Sequence, residues 1–100
     1  MADTTQHPVV GGPTKWDLSV ALFDRKSVNC RKVVFRVNCP TIAEFSIVVD
    51  SVQAEDGSGE SWNIEGTATR KTTNHLPQPP RRVFIYFRTD TRKGHIRFLS

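Results

Sequence analysis

The chain has 100 residues, of which 37% are hydrophobic and 24% charged, with a formal net charge of +4. That length holds one domain with a modest core, and the composition is too apolar for an intrinsically disordered chain. No apolar run is long enough to read as a membrane helix, and the opening MADTTQHPVVGGPTK lacks the basic segment and apolar core of a secretory signal.

The charge is unevenly distributed. Residues 1–52 are close to balanced, and residues 53–69 carry Glu55, Asp56, Glu60 and Glu65 with no base. Residues 70–100 carry Arg70, Lys71, Arg81, Arg82, Arg88, Arg92, Lys93 and Arg97 against Asp90 alone. A basic end of this kind attracts polyanions or satisfies an acidic stretch of its own chain, and charge by itself does not choose.

Taken in order, residues 1–15 hold Pro8, Gly11, Gly12 and Pro13 around one apolar pair, Val9–Val10. They read as a flexible N-terminal arm ahead of a single β domain over 16–100. WDLSVALF (16–23) alternates, with Trp16, Leu18, Val20 and Leu22 on one side, and reads as the first strand. DRKS (24–27) is a turn. RKVVFRVN (31–38) is the next strand, with Val33, Phe35 and Val37 inward and Lys32, Arg36 and Asn38 outward, and Pro40 ends it.

Residues 42–52, IAEFSIVVDSV, carry two signals. Thr41 and Glu44 fit a capping box, while five of these residues are Ile or Val, and Phe45, Ile47 and Val49 alternate with polar neighbours. The segment reads as a strand, with room for a helical turn at 41–45. AEDGSGE (54–60) is a turn-rich loop. SWNIEGTAT (61–69) places Trp62 and Ile64 inward and a bend or bulge at Gly66. KTTNHLPQPPR (71–81) is a loop stiffened by Pro77, Pro79 and Pro80. RVFIYFRT and HIRFL, joined through DTRKG, form a final hairpin. Evenly spaced short strands without a convincing amphipathic helix predict an all-β fold, a small antiparallel barrel or sandwich of about six strands.

Cys30 and Cys39 flank the 31–38 strand. An extended chain of that length holds them roughly 30 Å apart, beyond disulfide reach. Two free thiols suit a reducing cytosol, so the expected location is cytoplasmic.

Catalytic and metal motifs are missing. His7, His75 and His95 lie in unrelated contexts, and Cys39 could meet His75 or His95 only through folding. EDGSGE offers Glu55, Asp56, Ser58 and Glu60 as oxygen ligands, but its spacing does not match a calcium loop. Pro77-x-x-Pro80-x-Arg82 has the outline of a polyproline ligand, although Arg82 belongs to a strand. Trp16 and Trp62 read as core residues. The sequence assigns no catalytic residue, metal ligand or cofactor, and predicts a non-enzymatic binding or assembly module.

The final hairpin supplies the candidate surface. In RVFIYFR, Val83, Ile85 and Phe87 form an inward face and Arg82, Phe84, Tyr86 and Arg88 an outward one. Paired residues on adjacent strands share a face, so pairing positions whose numbers sum to an odd value puts Ile96 and Phe98 inward. The opposite parity would bury His95 and Arg97 at a cost of several kcal/mol. The expected face therefore gathers Arg82, Phe84, Tyr86, Arg88, His95 and Arg97, with Arg92 and Lys93 at the hairpin tip. Four covers suit it: the chain's own acidic stretch or Glu44 and Asp50, a second copy, single-stranded nucleic acid, or a small ligand held in a barrel mouth. Homo-oligomer formation is the leading functional reading, and nucleic-acid binding the alternative.

Overall fold

The computed structural model describes residues 5–23, 31–38, 41–55, 59–71 and 79–99, with backbone alone at 20–23. Six strands, β1 (Gln6–Gly11), β2 (Lys32–Asn38), β3 (Ile42–Ala54), β4 (Ser61–Arg70), β5 (Arg81–Arg88) and β6 (Lys93–Phe98), are accompanied by one helix, α1 (Lys15–Phe23). The strands pair antiparallel in chain order, and β1 pairs with β6 to close a barrel. The expected class and strand number are both observed, and closure decides for the barrel over the sandwich.

The membership of the six differs from the sequence reading at two places. The segment read as an arm supplies β1, which sends Val9 into the core and joins the two edges of the sheet. WDLSVALF, read as a strand, is helix α1. Its start is fastened by a reciprocal cap in which the Asp17 amide donates to Thr14 Oγ1 at 3.1 Å. The Thr14 amide in turn donates to Asp17 Oδ2 at 3.0 Å. Leu18 then enters the core at 0% exposure, while Trp16 stands 75% exposed and is not the core residue that parity predicted.

The other strands follow the alternation of their sequences. Val33, Phe35 and Val37 of β2, Trp62 and Ile64 of β4, and Val83, Ile85 and Phe87 of β5 all point inward. Residues 42–54 run as strand from Ile42 onward, so the Thr41–Glu44 signal makes no helical turn. In β3 the register slips between Val49 and Ser51 against Gly66 and Glu65 of β4, leaving Asp50 as the extra residue of a bulge. The bend expected at Gly66 thus falls on the facing strand. Gly66 permits the close approach, because a Cβ there would run into the Val48 carbonyl.

Core side chains from every strand fill the barrel interior, and α1 closes one end. That end gathers the close of β1, the start of β2 and the β5–β6 turn. There Gly12 packs within 2.8 Å of Phe35, measured from the place a Cβ would occupy, and Phe35 meets Phe87 edge-on at 5.1 Å. At the opposite end the Arg81 guanidinium lies 4.6 Å from the Phe98 ring centroid, covering the core. Cys30, Cys39, Asp56, Ser58, His75 and Pro77 lie outside the described residues. No described helix is long and apolar enough to cross a membrane.

Candidate interaction face

The pairing of β5 with β6 has the expected parity: Val83 faces Phe98, Phe84 faces Arg97, Ile85 faces Ile96, and Tyr86 faces His95. The apolar partners are buried and the others lie on the outer wall, half exposed. Two ring pairs result. Arg97 places its guanidinium 5.7 Å from the Phe84 centroid, and the Tyr86 and His95 rings stack at 5.5 Å with 26° between their planes. Gly94 holds this geometry from beneath. It faces Phe87, and a Cβ there would run into the Tyr86 carbonyl, so the strands could not keep this separation.

The arginines differ in how far their charge is met. Arg88 grips Asp90 with two bonds, Nη2 to Oδ2 at 2.7 Å and Nε to Oδ1 at 3.1 Å, and donates from Nη1 to the buried Ser61 Oγ at 2.8 Å. The hydrogen bond with Asp90, and then that with Tyr86, holds the guanidinium above its already high ordinary pKa. The Arg88 bond also holds the Asp90 carboxyl below its usual range. Arg82 reaches Asp50 at 3.1 Å, so the bulge in β3 supplies this cation's partner. Lys93 and Arg97 have no carboxylate partner among the described residues.

Of the eight residues singled out from sequence, seven share this wall. Arg92 departs from it: at the hairpin tip, with φ of 57°, it turns its guanidinium to the Gly12 carbonyl and ties the tip to the chain entering α1. The wall continues onto β4 through Ser61, Asn63, Glu65 and Thr67, which face Arg88, Tyr86, Phe84 and Arg82. It continues onto β1 through Gln6 and Pro8, which face Arg97 and His95. Sequence reasoning missed Asn63 and Glu65 as neighbours of the rings and Ser61 as the partner of Arg88. The polar positions alternating with Trp62 and Ile64 were the signal that could have found them.

Among the described residues the remaining candidates do not converge on a second site. Glu60, offered as a cation ligand, accepts from Thr89 Oγ1 at 2.7 Å and pairs with Lys15 at 3.3 Å; the Thr89 bond and then Lys15 lower its pKa. Among the described residues no three His, Cys, Asp or Glu groups are placed to hold a metal. Lys71 pairs with Glu44 at 3.6 Å instead of extending a track from the hairpin. Comparison with family models, with curated proteins and with solved structures returns no match to this chain.

Proposed function

We propose that this protein is a non-enzymatic assembly module that self-associates through the outer wall of β5 and β6. The observation that carries the reading is the in-register pairing of Phe84 with Arg97 and Tyr86 with His95 on a half-exposed surface. Aromatic rings and arginines are the groups most enriched at buried contacts. A closed barrel has no free strand edge to extend, which favours a wall over an edge as the contact surface. Asp50 and Asp90 already meet Arg82 and Arg88, which lowers the charge left uncompensated when a second copy covers the wall. Glu65, beside Phe84, offers a carboxylate to the Arg97 of a two-fold-related copy. The extended β2, between Cys30 and Cys39 in sequence, supports the free-thiol reading and with it a cytosolic setting.

A second reading rests on Arg97 and Lys93, whose charges no described carboxylate meets. These cations beside two rings suit the phosphates and bases of single-stranded nucleic acid. The filled interior weighs against a small ligand in the barrel mouth. Solution mass by light scattering at low and high salt, with and without a mixed-sequence single-stranded oligonucleotide, separates the readings. Self-association gives a dimer or larger species that tolerates moderate salt and is lost with Phe84→Ala or Tyr86→Asp. Oligonucleotide affinity that falls steeply with salt, its slope reduced by about one in Arg97→Ala, supports the second reading instead. A monomer that ignores the oligonucleotide refutes both.

A further inference from the structure

We propose that β1 is an exchangeable closure strand, and that the seat it occupies between β2 and β6 accepts the β1 of a second copy. Three observations carry this, and none depends on the ring-bearing wall. First, β1 is weakly held on one side: it meets β2 through Val9–Val37 and Gly11–Arg36, with the ladder broken at Val10 between them. Second, Val9 is its single fully buried side chain in the core, whereas β2 and β5 each bury three. Third, the chain is firmly anchored just beyond the strand. Pro13 is buried, Arg92 holds the Gly12 carbonyl, and the Thr14–Asp17 cap fixes α1.

Release therefore pivots at Val10–Gly11, where the bulge already interrupts pairing and glycine accepts either backbone direction. Once β1 leaves, β2 and β6 each present an open edge, and the core exposes the slot of Val9. Open edges recruit another strand. The occupant that fits without rearrangement is an identical Gln6–Gly11, because it restores the same register to β6 and the same valine to the slot. Exchange between two copies restores the β1–β6 pairing and the Val9 seat, and is a low-cost route to a dimer.

The test uses full-length chains carrying Cys30→Ser and Cys39→Ser, with Gln6→Cys in one copy and Arg97→Cys in the other. These positions face each other across β1 and β6. The two are unfolded together, refolded at high concentration and oxidised. Exchange gives a disulfide-linked heterodimer well above the share that random pairing of the two thiols would produce. Val9→Asp in the Gln6→Cys copy reduces it at least about tenfold, since the slot then receives a carboxylate. Phe84→Ala leaves it unchanged, whereas a dimer through the wall would be lost. A chain carrying both cysteines, oxidised as a monomer before concentration, forms no slowly exchanging dimer. Heterodimer no more abundant than random thiol pairing gives, or a slowly exchanging dimer from the locked chain, overturns the proposal.

Discussion

Paired substitutions in WDLSVALF test how α1 closes the barrel. As a strand, the segment would put Trp16 and Leu18 on one face, and truncating either would cost core packing. As a helix, it buries Leu18 completely and leaves Trp16 largely in solvent. Leu18→Ala removes a fully buried leucine from the barrel end, at a cost of about 2–5 kcal/mol from lost transfer energy and the residual cavity. Trp16→Ala falls within about 0.5 kcal/mol of wild type, as exposed substitutions ordinarily do. For a chain of this size about 1 kcal/mol moves the melting temperature by roughly 4–8 °C. A mid-range loss at Leu18 of about 3 kcal/mol therefore lowers it by roughly 12–24 °C. Thermal melts and urea midpoints on dilute protein measure both variants. A Trp16→Ala loss above about 1.5 kcal/mol, or a Leu18→Ala loss below about 1 kcal/mol, would refute the helical plug.

Thr14→Ala removes the hydroxyl that accepts from the Asp17 amide and lowers stability by about 1 kcal/mol, with Thr14→Ser near wild type; urea midpoints of the three proteins decide it. The pKa shifts of Asp90 and Glu60 also fix a pH dependence. Both carboxyls are lowered on folding, so their contribution is present above the ordinary carboxylate range and is lost as the pH falls through their folded-state values. Denaturation midpoints therefore decline on acidification below that ordinary range. Asp90→Asn flattens the slope by removing the partner of Arg88, and an unchanged slope in that variant contradicts the assignment.

The hairpin was legible because its constraint is local. RVFIYFR and HIRFL each alternate, and the cost of burying His95 or Arg97 leaves one parity for their pairing, the parity observed. The same reasoning placed β2 and β4. It failed at residues 16–23, where Trp16, Leu18, Val20 and Leu22 alternate as a strand would, and the competing signal lay two residues earlier. Thr14 and Asp17 have capping-box spacing, and in the folded chain the cap wins. It failed again at Val9–Val10, where Pro8 and the Gly11–Gly12–Pro13 run read as breakers. A strand with one buried residue carries almost no periodic signal, and its pairing comes from two distant edges. Asp50 was legible as a candidate cover for the arginine face, and it does meet Arg82. The bulge that carries it there was not legible, because a slip of register within a strand that otherwise alternates leaves no local pattern.

By itself the sequence determined an all-β fold, the inward faces of β2, β4 and β5, and the gathering of rings and cations on one wall of the last hairpin. These follow from alternation and from the cost of burying charge, which act over a few neighbouring residues. Tertiary structure alone decided that β1 meets β6 to close the barrel, that α1 drops Leu18 into its end, and that Asp50 and Ser61 meet Arg82 and Arg88. Each of these joins segments far apart in the chain, where geometry is set by the shared core and no local pattern records it.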